Sequence, residues 1–386
     1  DVASGDAAGF WYACFFLYLL PGAKGLRGVE EWDPDVTAQP RWETLPAETR
    51  DRLLAAAAHY LEVGSADAGP WLTEGKLHRP SFAGYRALVL ALRLDPSVLT
   101  ALPEETWRRW APMILSFPTA HGEGRWDDKR ALLAMARAAA TAELEAAALQ
   151  RVETHSAAGE RIVEDRELGE IWTDRLAGAL LDALTSGRLT GRAADDVMTL
   201  LARRSTELVR PYLRATLESG PDDDAARAGA LLLAYDSPTS WPAVYSVLQS
   251  EPARGERLVF AHLSEINHHE ELPAMSEEQL AELFLWLLDR FPFDTDPQFD
   301  DVHVVGPREQ AAQWRDRILR TLEAAGTPAA VTAIAAIESV LPQHTWIRVV
   351  RHEAARKARA NAWAPVSPAD VLALAANSNR RLVNTA

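Results

Sequence analysis

The chain has 386 residues, of which 48% are hydrophobic, so it is long enough to bury one very large core or two of ordinary size. Its formal net charge of −15 argues against general affinity for nucleic acid or for anionic membranes. The single cysteine, Cys14, excludes an internal disulfide and is typical of a reducing compartment, so we expect a cytoplasmic protein.

One strongly apolar run lies near the start of the chain, at Phe10–Leu20. With eleven residues it is too short to span a bilayer, and it lacks the basic leader of a secretory signal. The run therefore predicts a buried core helix, and we expect no membrane partner.

Helical spacing of apolar residues predicts seven helices in the first part of the chain. They are Glu48–Glu62, Phe82–Arg93, Glu104–Leu115, Arg130–Gln150, Ile171–Leu184, Ala193–Arg203 and Glu207–Leu217. The polar stretch Glu153–Gly159 is the predicted internal boundary. It separates an N-terminal helical segment, residues 1–152, from a C-terminal set of HEAT-like repeats, residues 160–386, which we expect to form one continuous superhelix.

The second part of the chain carries clear helix start and stop signals. Ser276-Glu-Glu-Gln279 is a capping box, in which the serine hydroxyl and the glutamine side chain each satisfy a backbone amide. Gly326-Thr327-Pro328 places a helix-ending glycine, an N-cap and an N1 proline in succession. The helices predicted from such signals include Asp222–Tyr235, Trp241–Gln249, Ala253–Ile266, a helix starting at Pro307, His344–Trp363 and Ser367–Leu374.

Strand signals are weak, and only Val302–Val305 could form a brief strand. Helix starts recur at varying intervals with no fixed period. The sequence therefore predicts an all-α fold, an irregular HEAT/armadillo-like helical-repeat solenoid. Such stacks of helix pairs make extended binding surfaces and rarely carry chemistry, and self-association remains open.

Two sequence patterns suggest a zinc or other metal site. His352-Glu353-Ala-Ala-Arg356 resembles the zinc motif HExxH, but Arg356 stands where the second imidazole is needed. A second group lies at the end of a predicted helix without a recognisable ligand spacing, and solvated side chains explain it better. Its members are His262, His268, His269, Glu270 and Glu271.

Two further acidic patterns suggest calcium or nuclease chemistry. Asp294, Asp296, Asp300 and Asp301 lack the length, the central glycine and the terminal glutamate of an EF-hand loop. Asp67 with Glu74-Gly75-Lys76 resembles a nuclease arrangement, which needs adjacent strands that the sequence does not predict. With no phosphate-binding loop either, we expect no catalytic, cofactor or metal residue in this chain, and no enzyme activity.

The C-terminal part is basic in an otherwise acidic protein. In the predicted helix His344–Trp363, four cations are candidate partner contacts: Arg348, Arg351, Lys357 and Arg359. They do not form a single stripe, so a solvated helix face is favoured over a nucleic-acid groove, and duplex DNA is an unfavourable partner. Trp346 and Trp363 are interpreted as packing residues at the helix ends.

A family resemblance rests on eight stretches of the chain. It resembles the helical-repeat region of bacterial NACHT/STAND-type NTPases. The stretches are AAAAHYLEVG, YRALVLALRLDPSVLTAL, WRRWAPMILSFP, GALLLAYDSPTSWPAVYSVL, LAELFLWLLDRFPFD, WRDRILRTLEAAGTPAAVTAI, LPQHTWIRVVRHEAARKARANAWAPVSPADVLAL and RRLV.

The resemblance implies a sensor or scaffold module that recognises a foreign protein, such as a phage protein, in antiviral defence. In that family a P-loop NTPase precedes the repeats and an effector may follow them. ATP and magnesium would then bind outside this chain, which we expect to be an internal piece of a longer protein. The alternative is an armadillo-like adaptor that binds a host protein and has no role in defence.

Overall fold

The computed structural model describes residues 9–10, 13–14, 33–39, 41–64, 79–118, 123–162, 165–263, 272–297 and 306–362. These residues form helices and connecting turns and contain no strand, which confirms the all-α prediction. Ser367–Leu374 and Val302–Val305, for which the sequence predicts a helix and a brief strand, lie outside the described residues. Of the predicted core helix Phe10–Leu20, residues 10, 13 and 14 are described and helical, and Phe10 and Cys14 are buried.

Sixteen α-helices are numbered here in chain order. Short 3-10 helices occupy Val36–Ala38, Trp42–Thr44 and Phe293–Thr295. The α-helices are α1 Ala47–Val63, α2 Arg79–Leu94, α3 Pro96–Thr100, α4 Glu104–Ser116, α5 Glu123–Ala158, α6 Asp165–Glu170, α7 Asp174–Thr185, α8 Gly191–Arg204, α9 Thr206–Ser219, α10 Asp222–Tyr235, α11 Ser237–Ser250, α12 Pro252–Ala261, α13 Glu277–Arg290, α14 Pro307–Ala325, α15 Pro328–Val340 and α16 Thr345–Asn361.

The chain divides into two compact units, Asp1–Leu208 and Val209–Ala386. This division differs from the predicted segments 1–152 and 160–386. The polar residues Glu153–Ala158 are not a linker, because they continue helix α5, which bends at Ala140 (φ −145°, ψ 45°). The helix ends only at Gly159, whose φ of 71° a residue with a side chain adopts at a cost.

The predicted helix signals in the second unit are present in detail. Gln279 N donates to Ser276 Oγ (3.3 Å), and Ser276 N donates to Gln279 Oε1 (3.0 Å), so the capping box is complete. Gly326 is left-handed (φ 53°), and the Thr327 hydroxyl accepts from Ala330 N (3.0 Å). A single glycine therefore ends α14 and allows α15 to begin at once.

The first unit is centred on large aromatic side chains between α1, α2, α4 and α5. Trp110 is buried, and its indole N–H donates to the Leu61 carbonyl (2.8 Å). Gly84 of α2 faces this ring so closely that a Cβ there would lie 2.1 Å from Trp110 Cζ3. Buried Lys129 of α5 donates to the Phe117 carbonyl (2.7 Å) and to Glu167 (3.0 Å), which ties α4 and α6 to α5.

The second unit is built from helices that pack against their neighbours in sequence. Helix α10 packs on α11 and α12, α13 packs on α14 and α15, and α16 packs on α15 and α14. Each of these contacts joins helices that are next, or next but one, along the chain. Apolar residues at three- and four-residue steps provide the buried faces, as Leu280, Leu283, Phe284 and Leu287 do in α13.

Several polar contacts between helices join residues that lie 32 to 35 positions apart along the chain. In the second unit the pairs are Arg254–Asp222, separated by 32 residues, Arg290–Glu256 and Lys357–Glu323, both by 34, and Asn361–Gly326, by 35. In the first unit they include Ser156–Thr190, separated by 34, and Arg188–Glu153 and Arg161–Asp196, both by 35. A spacing of this size corresponds to two helices with their turns. Other polar contacts between helices join residues from 10 to 49 positions apart.

Candidate interaction surface on helix α16

The HExxH-like segment of α16 places no pair of metal ligands together. Glu353 accepts from Arg356 Nε (2.9 Å), so the acid of the motif forms an ion pair with the residue that replaces the second histidine. His352 is exposed on the outer side of the helix. Within the described ranges, no group of three or more His, Cys, Asp or Glu side chains could hold a metal ion.

His262 is a buried core residue at the end of α12. Its Nδ1–H donates to the Ala230 carbonyl (3.1 Å), and the ring meets Trp314 edge-on, with centroids 5.1 Å apart. Burial lowers the pKa of the imidazole to about 4, so the ring is neutral at physiological pH. The other members of its predicted metal group, His268, His269, Glu270 and Glu271, lie outside the described residues.

The acidic loop after α13, which carries the predicted calcium-like pattern, forms an ion pair with a buried arginine. Nη2 of Arg315 donates to both carboxylate oxygens of Asp296, at 2.5 Å each, and the Arg315 side chain is buried. The same guanidinium lies over the Phe293 ring, 4.6 Å from its centroid. Asp294 is exposed, whereas Asp300, Asp301 and the nuclease-like set Asp67, Glu74 and Lys76 lie outside the described residues.

Helix α16 carries the four cations predicted as partner contacts. It spans seventeen residues but buries only Ile347 and Ala354, which are seven residues apart and so share one face. The helix is therefore anchored along one narrow stripe, and its remaining faces are wholly or partly accessible.

Three of the four candidate cations join α16 to its neighbours. Arg348 and Arg351 both reach Glu338 of α15, at Nε–O distances of 2.9 and 2.6 Å. The hydrogen bond from Arg348 and the charge of Arg351 lower the pKa of the Glu338 carboxyl. Lys357 pairs with Glu323 of α14 at 2.7 Å, whereas Arg359 is exposed and forms no ion pair with any described residue.

The outer face of α16 is apolar at its start and basic towards its end. We define the α16 outer face as Trp346, Val349, His352, Arg356 and Arg359, which recur at three- and four-residue steps. The last four lie opposite the buried Ile347 and Ala354, and Trp346 lies at the border of this face. Trp346 is 41% exposed and Val349 is 61% exposed. Among the described residues, the exposed large hydrophobics are six, and three of them, Val340, Trp346 and Val349, belong to the α15–α16 corner.

Trp346 is both a packing residue and an exposed one. Its ring lies 6.1 Å from Phe293 and 6.3 Å from His344, centroid to centroid, and both contacts are edge-on. These contacts hold one edge of the indole and leave the rest accessible. The sequence predicted that Trp346 packs against its neighbours, but it did not predict that the side chain also stays exposed. Val349 falls on the face opposite Ile347, and Trp346 lies at the border between that face and the buried stripe.

The geometry combines exposed apolar anchors with cations, which suits contact with another molecule better than chemistry on a small substrate. Comparisons with family models, with curated proteins and with solved structures find no match for this chain. Within the described part, no helix is long and apolar enough to cross a membrane.

Proposed function

We propose that this chain is a non-catalytic protein-binding module, a HEAT/armadillo-like solenoid that serves as the sensor or scaffold of a bacterial NACHT/STAND-type antiphage NTPase. It would recognise a foreign protein, such as a phage protein. It would relay that binding to NTPase and effector domains outside these residues, where ATP and magnesium would act.

The packing of the second unit supports the solenoid part of this proposal. Its helices pack on the next helix or the next but one along the chain, as in quasi-linear stacks of helix pairs, and several polar contacts in both units join residues 32 to 35 positions apart. A stack of this kind offers a surface large enough for a protein partner, because specific protein interfaces bury about 800 Å² on each side.

The use of the charged side chains supports a binding role rather than catalysis. Arg210 and Asp236 form a two-fold contact between α9 and the start of α11, and Arg254 and Arg257 both bind Asp222 of α10. The pKa values of Asp236 and Asp222 are lowered by these arginines. Because the same ion pairs hold helices together, the lowered pKa values have a structural explanation and do not indicate catalysis.

The experiment is affinity capture with the tagged chain from lysates of phage-infected and uninfected bacteria, read by mass spectrometry. The sensor proposal expects one phage protein to be retained stoichiometrically from the infected lysate alone. Retention of the same host protein from both lysates would instead support the armadillo-like adaptor. Hydrolysis of ATP by the isolated chain would contradict both readings.

A further inference from the structure

Among the described residues, those that pack on helix α16 lie on one side of it. Helix α14 buries seven of its nineteen residues, whereas α16 buries two of seventeen. The side turned away from α14 and α15 is the α16 outer face, about 20 Å long from Trp346 to Arg359 at 1.5 Å per residue. This length matches three to four turns of a helix or a short extended segment.

The composition of this face resembles the centre of protein interfaces. Tryptophan and arginine are the residue types that most often dominate binding energy at such interfaces, and exposed apolar side chains beside them supply buried area. Trp346 is held in place by Phe293 and His344, so little side-chain freedom is lost when a partner covers it.

The charge of α16 indicates the chemistry of the partner. The helix carries five Arg or Lys residues and one acid, Glu353, in a chain whose net charge is −15. Glu338 and Glu323 approach it only from the side of α15 and α14. Arg356 and Arg359 are exposed, about two and three turns beyond Val349. Arg359 forms no ion pair with any described residue, whereas Arg356 pairs with Glu353 of the same helix (2.9 Å). This pair is exposed and contributes little stability, so a carboxylate of a partner can take the place of Glu353.

We propose that the α16 outer face binds an acidic amphipathic segment of a partner protein, whose apolar residues cover Trp346 and Val349 while its carboxylates meet Arg356 and Arg359. The inference deepens the proposed function and rests on it in taking the partner to be a protein. A lipid surface fits less well, because two apolar side chains offer little area for insertion and the acidic body repels anionic lipid.

The direct test uses synthetic peptides and the full chain. The probe is a fluorescent helical peptide with leucines at three- and four-residue steps and glutamates elsewhere. One control peptide replaces the glutamates with lysines, and a second replaces the leucines with serines. Fluorescence anisotropy should show saturable binding of the first peptide and at least about tenfold weaker binding of either control.

Matched variants locate the binding. Val349→Asp and Arg359→Glu alter exposed residues and should each weaken binding of the acidic peptide by about tenfold. Val63→Asp and Arg192→Glu make the same changes at exposed positions of the first unit and should leave binding unchanged. Circular dichroism checks that all four variants keep the helical content of the parent chain.

Four results would overturn the inference. The first is an equal loss of binding in the control variants, and the second is equal binding of all three peptides. The third is a preference for a short single-stranded RNA over the acidic peptide. The fourth is a dimer in light scattering that Val349→Asp dissociates, because the face would then bind a second copy.

The two proposals can fail separately. If Val349→Asp still retains the phage protein in affinity capture, the sensor proposal stands and the α16 assignment fails. If the peptide binds but no protein is captured, the α16 assignment stands and the sensor proposal fails.

Discussion

Trp110 fills the space that a side chain at position 84 would need. Its ring lies where a Cβ on Gly84 would point, 2.1 Å from Cζ3, and it is fixed there by its hydrogen bond to the Leu61 carbonyl. A glycine inside a helix normally costs stability, so its presence in α2 is explained by this close approach.

Gly84→Ala should therefore lower the free energy of unfolding by about 1–3 kcal/mol, because the added methyl group displaces a buried ring. The matched control is Gly178→Ala in α7, where a Cβ meets nothing within 4 Å. That change should raise the free energy of unfolding by about 0.5–1 kcal/mol, since alanine favours the helix. Urea denaturation of both variants measures the difference, and a stabilising Gly84→Ala would contradict the assigned packing.

His262 should make stability depend on pH in a defined window. Its pKa is about 4 in the folded protein, below the ordinary value of 6.5, because burial disfavours the imidazolium. The unfolded chain therefore binds the proton first as the pH falls. The contribution of His262 is complete above about pH 6.5 and is lost between pH 6.5 and 4, amounting to about 3 kcal/mol.

The measurement compares the pH dependence of urea unfolding in the parent chain and in His262→Leu. Carboxylates also titrate near pH 4, but they are common to both proteins and cancel in the difference. The slope between pH 6.5 and 4 should be shallower in the variant. Identical slopes would show that the imidazole is not buried as described.

At the scale of elements, ion pairs between helices differ in burial, so we expect them to differ in their contribution to the free energy of unfolding. Asp236, at the start of α11, is 6% exposed and accepts two hydrogen bonds of 2.7 Å from Arg210 and another from Ser240. Burial opposes its ionisation, but the hydrogen bonds from Arg210 and Ser240 outweigh it and lower the pKa of this carboxyl.

Asp236→Ala should cost about 2 kcal/mol of unfolding free energy, because it removes two hydrogen bonds from Arg210 and one from Ser240 to a buried carboxylate. The control is Asp222→Ala, which removes an acid that also binds two arginines but is exposed to solvent. Its effect should be much smaller and should shrink with added salt. Equal effects in chemical denaturation would contradict the difference in burial.

The ends of elements were predictable where a chemical signal marks them. Helix α10 begins and ends where the sequence predicts, at Asp222 and Tyr235. The next helix, predicted as Trp241–Gln249, begins earlier, at Ser237. Helix α5 is longer than Arg130–Gln150 at both ends, since neither end of that alanine-rich pattern carries a cap. Glu153–Ala158, which belong to the predicted internal boundary Glu153–Gly159, lie in the last turns of helix α5.

At the scale of the whole molecule, charge makes duplex DNA a poor partner. The chain has a net charge of −15, and three of the four candidate cations on α16 already pair with Glu338 or Glu323. Binding to a duplex gains from counterion release only when many cations reach the phosphates together. The cations of α16 are few and most of them are already paired with carboxylates, so they would release few counterions on binding a duplex.

A titration of labelled duplex DNA at physiological salt should therefore show no saturable binding. The comparison protein carries Arg351→Glu with Arg359→Glu, and it should behave like the parent chain. Tight, salt-sensitive binding by the parent that this double variant reduces would place a nucleic-acid site on α16 instead of a protein site.

The sequence by itself determined the all-α class, most helix positions, the Ser276 capping box and the Gly326 turn, because these depend on local propensity and on side chains within a few residues of one another. Only the tertiary structure decided which cations of α16 are occupied and that Trp346 and Val349 remain exposed. It also decided which helices pack together. These properties depend on Glu338 and Glu323 from other helices and on which face of each helix a neighbour covers, and local sequence does not encode either.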